Sequence, residues 1–126
     1  MKTKRIVVGI AQGLLSLALL MAGIMKMSTP YDELVQQMAW VEAVPPAVVM
    51  LIGALEVLGV IGMNLPFLLK KFMKLVPVAA GGLALTMLGA IFTHVALGEN
   101  FVAALVLFAI AAFVTYSRKG LLQGEA

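Results

Sequence analysis

The sequence contains no cysteine. That excludes disulfides, thiol relays and iron–sulfur clusters held by the chain's own thiolates, so any redox role has to come through a bound cofactor or a partner. It has one histidine and no cluster of acids beyond the adjacent Asp32 and Glu33, too few donors for the about four ligands of a protein-built site, and no metal is expected. Charge is scarce as well, at 12% of residues. There is no polar stretch long enough for a soluble domain, no low-complexity segment and no long linker.

Apolar sequence fills the space these absences leave. Hydrophobic residues make up 63% of the 126, with a mean hydropathy of +1.09, well beyond the half-apolar composition of a soluble domain. Four runs stand out: Ile6 to Met25, Pro46 to Met63, Leu75 to Leu97 and Phe101 to Tyr116. Each approaches the roughly 20 residues that cross about 30 Å of hydrocarbon. Backbone polar groups cannot stay unsatisfied in lipid, and long runs without alternation are not the strands of a barrel. The expected fold is therefore all-α: an antiparallel bundle of four transmembrane helices forming a single membrane domain over 1–126. The helices are predicted at about 6–26, 46–63, 75–97 and 101–117, with an outer loop over 27–45 and an inner loop over 64–74. Lys2, Lys4 and Arg5 would also suit a secretory signal, but the run that follows is too long and lacks a small-x-small cleavage site. It is read as a retained helix.

Charge placement predicts orientation. Lys2, Lys4, Arg5, Lys70, Lys71, Lys74, Arg118 and Lys119 fall on one side of the bundle, and only Lys26 on the other. By the positive-inside rule both termini are cytoplasmic. Asp32, Glu33, Glu42 and Glu99 lie outside. The basic pI then reflects topology and attraction to anionic lipid heads, and nucleic-acid binding is not expected. In the outer loop, Ser28 or Thr29 followed by Pro30 is expected to open a short interfacial helix, with Tyr31 and Trp40 at headgroup level.

Small and polar residues form stripes at helical spacing. The first helix carries Gly9, Gln12, Ser16, Leu19, Gly23 and Lys26; the second repeats Gly53, Glu56, Gly59 and Gly62; the third places Ala79, Gly82, Thr86, Gly89 and Thr93 on one line, with His94 at its edge. Close packing of helices in lipid accounts for the small residues. The fourth helix, with Ala104, Ala111 and Thr115, is read as a packing helix.

The ionisable residues need more explanation. At 1.5 Å per residue, Glu56 counts to roughly 15 Å below the outer end of its helix, level with Ser16 and Thr86, whose hydroxyls it could then bond. An ionised acid there costs a few kcal/mol, so it faces protein or water. Lys26 counts to the outer edge and His94 to roughly one turn below it, leaving a vertical gap of about 10 to 15 Å to Glu56. Side chains lean toward their own helix N-terminus, so Lys26 and His94 lean inward while Glu56 leans outward. The expectation is one outer cavity shared by the three, with bridging water, ahead of a direct salt bridge. Simpler readings stand beside it: Lys26 snorkels to the headgroups, His94 bonds a carbonyl, Glu56 is a polar clip, and Gln12 is a clip of the same kind.

The segments LLMAGIMKM, GALEVLGVIG and AAGGLALTMLGAIFTHV resemble the DoxX or DoxX-like family of small four-helix membrane proteins. The resemblance covers roughly the first three helices and the topology of the whole chain. It implies a location in the bacterial inner (plasma) membrane and an accessory or ligand-binding role in support of a membrane oxidoreductase. It places Lys26, Glu56 and His94 at matching positions for a pocket that takes a quinone headgroup or a lipid, with Gln12, Ser16, Thr86 and Thr93 as supporting polar groups. The missing cysteines set this chain apart from thiol-redox relatives. The alternatives are a proton-coupled transporter using Glu56 and an assembly chaperone for other membrane proteins. Catalysis by this chain alone is the least supported class, since no nucleophile has a positioned base. A bundle this small is expected as a homo-oligomer or part of a larger complex.

Overall fold

The computed structural model describes residues 2–123. Among these the fold is all-helical and contains no strand. The long helices are α1 (Lys2–Ser28), α3 (Pro46–Leu69), α4 (Leu75–Ala96) and α5 (Val102–Arg118); a short α2 (Tyr31–Gln37) lies between the first two. Four helices are long and apolar enough to cross a membrane, the last counted through Gln123. They form a ring in which α1 packs on α3 and α5, and α4 packs on α3 and α5. The ends of the bundle are called here the loop end, which carries residues 29–45, and the terminal end, which carries Lys2 and Arg118.

Two boundaries differ from the sequence expectation. α3 runs on to Leu69, so Asn64 to Leu69, expected in an inner loop, are helical despite Pro66. Pro66 has no N–H for the carbonyl of Gly62, but in lipid a helix tolerates one such loss more readily than an unwound backbone. The helix stops only where Lys70 and Phe72 take left-handed φ values of 56° and 62°. At the loop end, neither Ser28 nor Thr29 caps α2. Pro30 holds the cap position without a side-chain bond, while the Ser28 hydroxyl donates back to the Ile24 carbonyl as the last residue of α1.

The loop is a folded unit. Leu34, Val41 and Val49 form a small core of their own, and the Tyr31 hydroxyl is within 3.0 Å of the Val41 carbonyl and 2.8 Å of that of Val44. The larger core lies at the bundle centre and terminal end, where Leu15, Met63, Val76, Ala80, Ala111 and Val114 are almost wholly buried. Pro46 starts α3, its fixed φ suiting the first helical position.

The glycine band of α3 serves two neighbours in turn. Steps of three residues turn the band by about 60° each. Gly53 therefore faces α1, where a Cβ would come within 2.7 Å of the Gly23 carbonyl oxygen. Gly59 and Gly62 face α4, against Leu83 and Ala79. Gly23 is equally constrained, its Cβ meeting the Gly53 carbonyl oxygen at 2.7 Å. By contrast Gly9 and Gly82, expected on protein-facing stripes, are exposed and meet nothing.

Candidate functional site

The close crossing of Gly23 and Gly53 sets the site. With those backbones in contact, the next turn of α1 brings Lys26 beside α3, and its Nζ donates to Glu56 Oε1 at 2.6 Å. Both side chains are buried, at 10% and 1% exposure. The pair is direct, which corrects the expectation of a gap bridged by water. The count along the helices assumed that α1 and α3 end at one level, whereas the glycine crossing puts Gly23 level with Glu56. The first turns of α3 thus stand beyond the end of α1.

The same register removes Ser16 as a partner of Glu56, while Thr86 shares the cavity wall with Glu56 but spends its hydroxyl on its own helix. Ser16 donates to the Gln12 carbonyl and Thr86 to the Gly82 carbonyl. Glu56 Oε2 is left buried with no hydrogen-bond partner among the described residues. A carboxylate oxygen without a donor is an unusual state for a buried group.

Lys26, Glu56 and His94 do line one cavity, of about 450 Å³, at the loop end between α1, α3, α4 and α5. This falls in the roughly 300–1,000 Å³ of small-molecule pockets. Its walls are mostly apolar, with Leu19, Ile52, Met87 and Leu107 among them, and Thr86, Gly89 and Thr93 on the α4 side. Small residues on α5, Ala103 and Ala104, keep that wall thin. Met38 and Trp40 from the loop complete the lining. The Trp40 ring centre lies 6.0 Å from Lys26 Nζ, within reach of a cation–π contact.

His94 does not touch Glu56. Its Nδ1 lies 3.0 Å from Glu99 Oε1, which ties α4 to the turn that follows. With a proton on Nδ1 directed at the carboxylate, Nε2 is the ring nitrogen left for another partner. That turn needs the left-handed φ of 71° at Gly98, a conformation glycine takes without strain.

Gln12 and Ser16 belong to a different cluster, at the terminal end. Gln12 Nε2 donates to the Met63 carbonyl at 3.0 Å and to Asn64 Oδ1 at 3.1 Å. Asn64 Nδ2 donates to Ser16 Oγ and to the Val60 carbonyl, both at 2.8 Å. Arg118 Nε donates to Gln12 Oε1 at 3.0 Å, and its guanidinium lies 5.0 Å from the Phe67 ring centre. The network joins α1, α3 and α5. Asn64 and Arg118 were not singled out from sequence. The signal was present for Asn64, since Glu56, Val60 and Asn64 follow one another at four-residue steps along one face.

Among the described residues no group of His, Asp or Glu could hold a metal ion. The sequence model of the DoxX-like family matches residues 10–117, a span that takes in α3 and α4 whole, most of α1 and α5, and every residue of the cavity. Comparison with curated proteins and with solved structures gave no match.

Proposed function

Because the chain belongs to the DoxX-like family, we propose that it is a small membrane protein that binds the polar end of an apolar membrane ligand, a quinone or a lipid, in the loop-end cavity. One observation carries this reading: a buried ion pair lines a cavity of ligand size and leaves one carboxylate oxygen unbonded. The groups fit a quinone head. Lys26 Nζ has donors beyond the one given to Glu56, His94 offers a second nitrogen, and Glu56 can hold or release a proton beside them. The apolar walls suit a ring or chain.

Below the cavity lies the core of Leu15, Met63, Val76, Ala80, Ala111 and Val114, and this favours binding over passage of a solute. Following the lysines, both termini are cytoplasmic and the cavity faces the outer side of a bacterial inner membrane. In this reading the chain acts as an accessory subunit beside a membrane oxidoreductase, with oligomerisation or partner docking through its lipid-facing helices.

The test is native mass spectrometry with lipid and quinone extraction, on protein purified gently from its own membranes. Wild type is expected to retain a discrete small molecule that both Glu56→Gln and His94→Ala lose while remaining folded. Bulk lipid alone in wild type, or retention by both variants, would overturn the reading. Proton-driven flux of a cationic dye that vanished in Glu56→Gln would establish transport instead.

A further inference from the structure

Two cations among the described residues are withdrawn from the surface, Lys26 and Arg118, and they are treated differently. Lys26 has an acid at 2.6 Å, whereas Arg118 takes part in neither ion pair of the described residues. A guanidinium stays protonated under all ordinary conditions, so it offers a permanent positive charge to any anion that reaches it. Gln12 holds Nε and Phe67 covers one face, which fixes the plane of the group. The terminal nitrogens make no hydrogen bond within the described residues, and Arg118 is only half-buried.

Position narrows the partner. Arg118 ends α5, and its side chain leans back along its own helix to meet Phe67, about 5 Å deeper than the Lys70 turn. Free extension toward water would have broken the Gln12 bond. The group is therefore held at the boundary of the hydrocarbon, at the end of the molecule where Lys70, Lys71, Lys74 and Lys119 gather. A planar fork with one edge free matches two oxygens of a phosphate in a paired geometry that lysine cannot reproduce.

We propose that Arg118, oriented by Gln12 and Phe67, is the fixed point of a phosphate-binding site at the terminal end of the bundle. The surrounding lysines raise the local concentration of anions without orienting them. The site is separate from the loop-end cavity, which lies on the other side of the packed core, and does not depend on that cavity's ligand.

The experiment uses the full-length protein in detergent, with phosphatidylglycerol and diacylglycerol of identical chains offered together and retention read by native mass spectrometry. Wild type is expected to prefer phosphatidylglycerol by about tenfold, the scale of one charge-assisted pair of hydrogen bonds. Arg118→Lys should keep a small part of that preference and Arg118→Gln none of it, while Lys70, Lys71 and Lys74 changed together to Gln should leave most of it. Gln12→Leu, which releases the guanidinium without removing it, should weaken the preference and serves if Arg118→Gln fails to fold. Inorganic phosphate is then titrated in: displacement of the lipid identifies the free anion as an occupant, and no displacement assigns the site to the lipid headgroup. A folded Arg118→Gln protein with the full preference, or a preference that disappears with the three lysines alone, would overturn the proposal.

Discussion

The two ends of this bundle bury polar groups in opposite ways. At the terminal end, Gln12, Ser16 and Asn64 share neutral hydrogen bonds in the midst of tight packing. At the loop end, two full charges face each other beside open space, with one oxygen unbonded. The first arrangement is what helix clips look like, since amides and hydroxyls join helices in lipid at modest energies. The second is poorly suited to stability alone, because desolvating both charges offsets most of their attraction. The contrast separates the neutral clip of Gln12, Ser16 and Asn64, whose neighbour Arg118 is a case apart, from the charged pair that lines the proposed ligand cavity.

That contrast can be broken most forcefully at the ion pair. Lys26→Met leaves a buried carboxylate without its cation and should destabilise the fold by about 3–5 kcal/mol. Lys26→Met with Glu56→Leu should recover much of that loss, measured by thermal or denaturant unfolding in detergent. A double variant as unstable as the single would mean that the pair holds the bundle together. Next in size is Gly53→Ala, whose methyl meets the Gly23 backbone. It should cost about 1–3 kcal/mol and separate Lys26 from Glu56, read as lost stability together with weakened ligand retention.

Asn64→Leu probes the other end. It removes bonds to Ser16 and Gln12 and should cost about 1 kcal/mol with no effect on ligand retention in the cavity, since the two clusters share no residue. An equal loss of retention would join what the comparison separates. The smallest effect is expected at Lys70, where the left-handed φ favours glycine. Lys70→Gly should stabilise by up to about 1 kcal/mol, visible as a small rise in unfolding temperature.

Much of this organisation was legible in the sequence. Hydropathy located the four long helices, and the DoxX-like resemblance held over most of the chain. Lys26, Glu56 and His94 were recognised as unusual because charge and imidazole within lipid-spanning segments demand a reason. The register was not legible. Counting residues from helix ends cannot reveal that two glycines pull α1 and α3 into contact at Gly23 and Gly53, and this contact converts a predicted gap into a 2.6 Å pair. The end of α3 was misread for a related reason. Pro66 and the lysines beyond it look like a loop, but in lipid a helix keeps its backbone bonds until the backbone itself turns left-handed.

Trp40 carries a further consequence. It is the sole tryptophan of the sequence, and it stands in the cavity wall beside Lys26. Excited near its absorption edge, the protein therefore emits from a single known place, with no background from other indoles. The colour of that emission records how wet the cavity is, and its intensity records the arrival of any electron-accepting ring. The molecule contains its own optical gauge of occupancy, requiring neither label nor substitution.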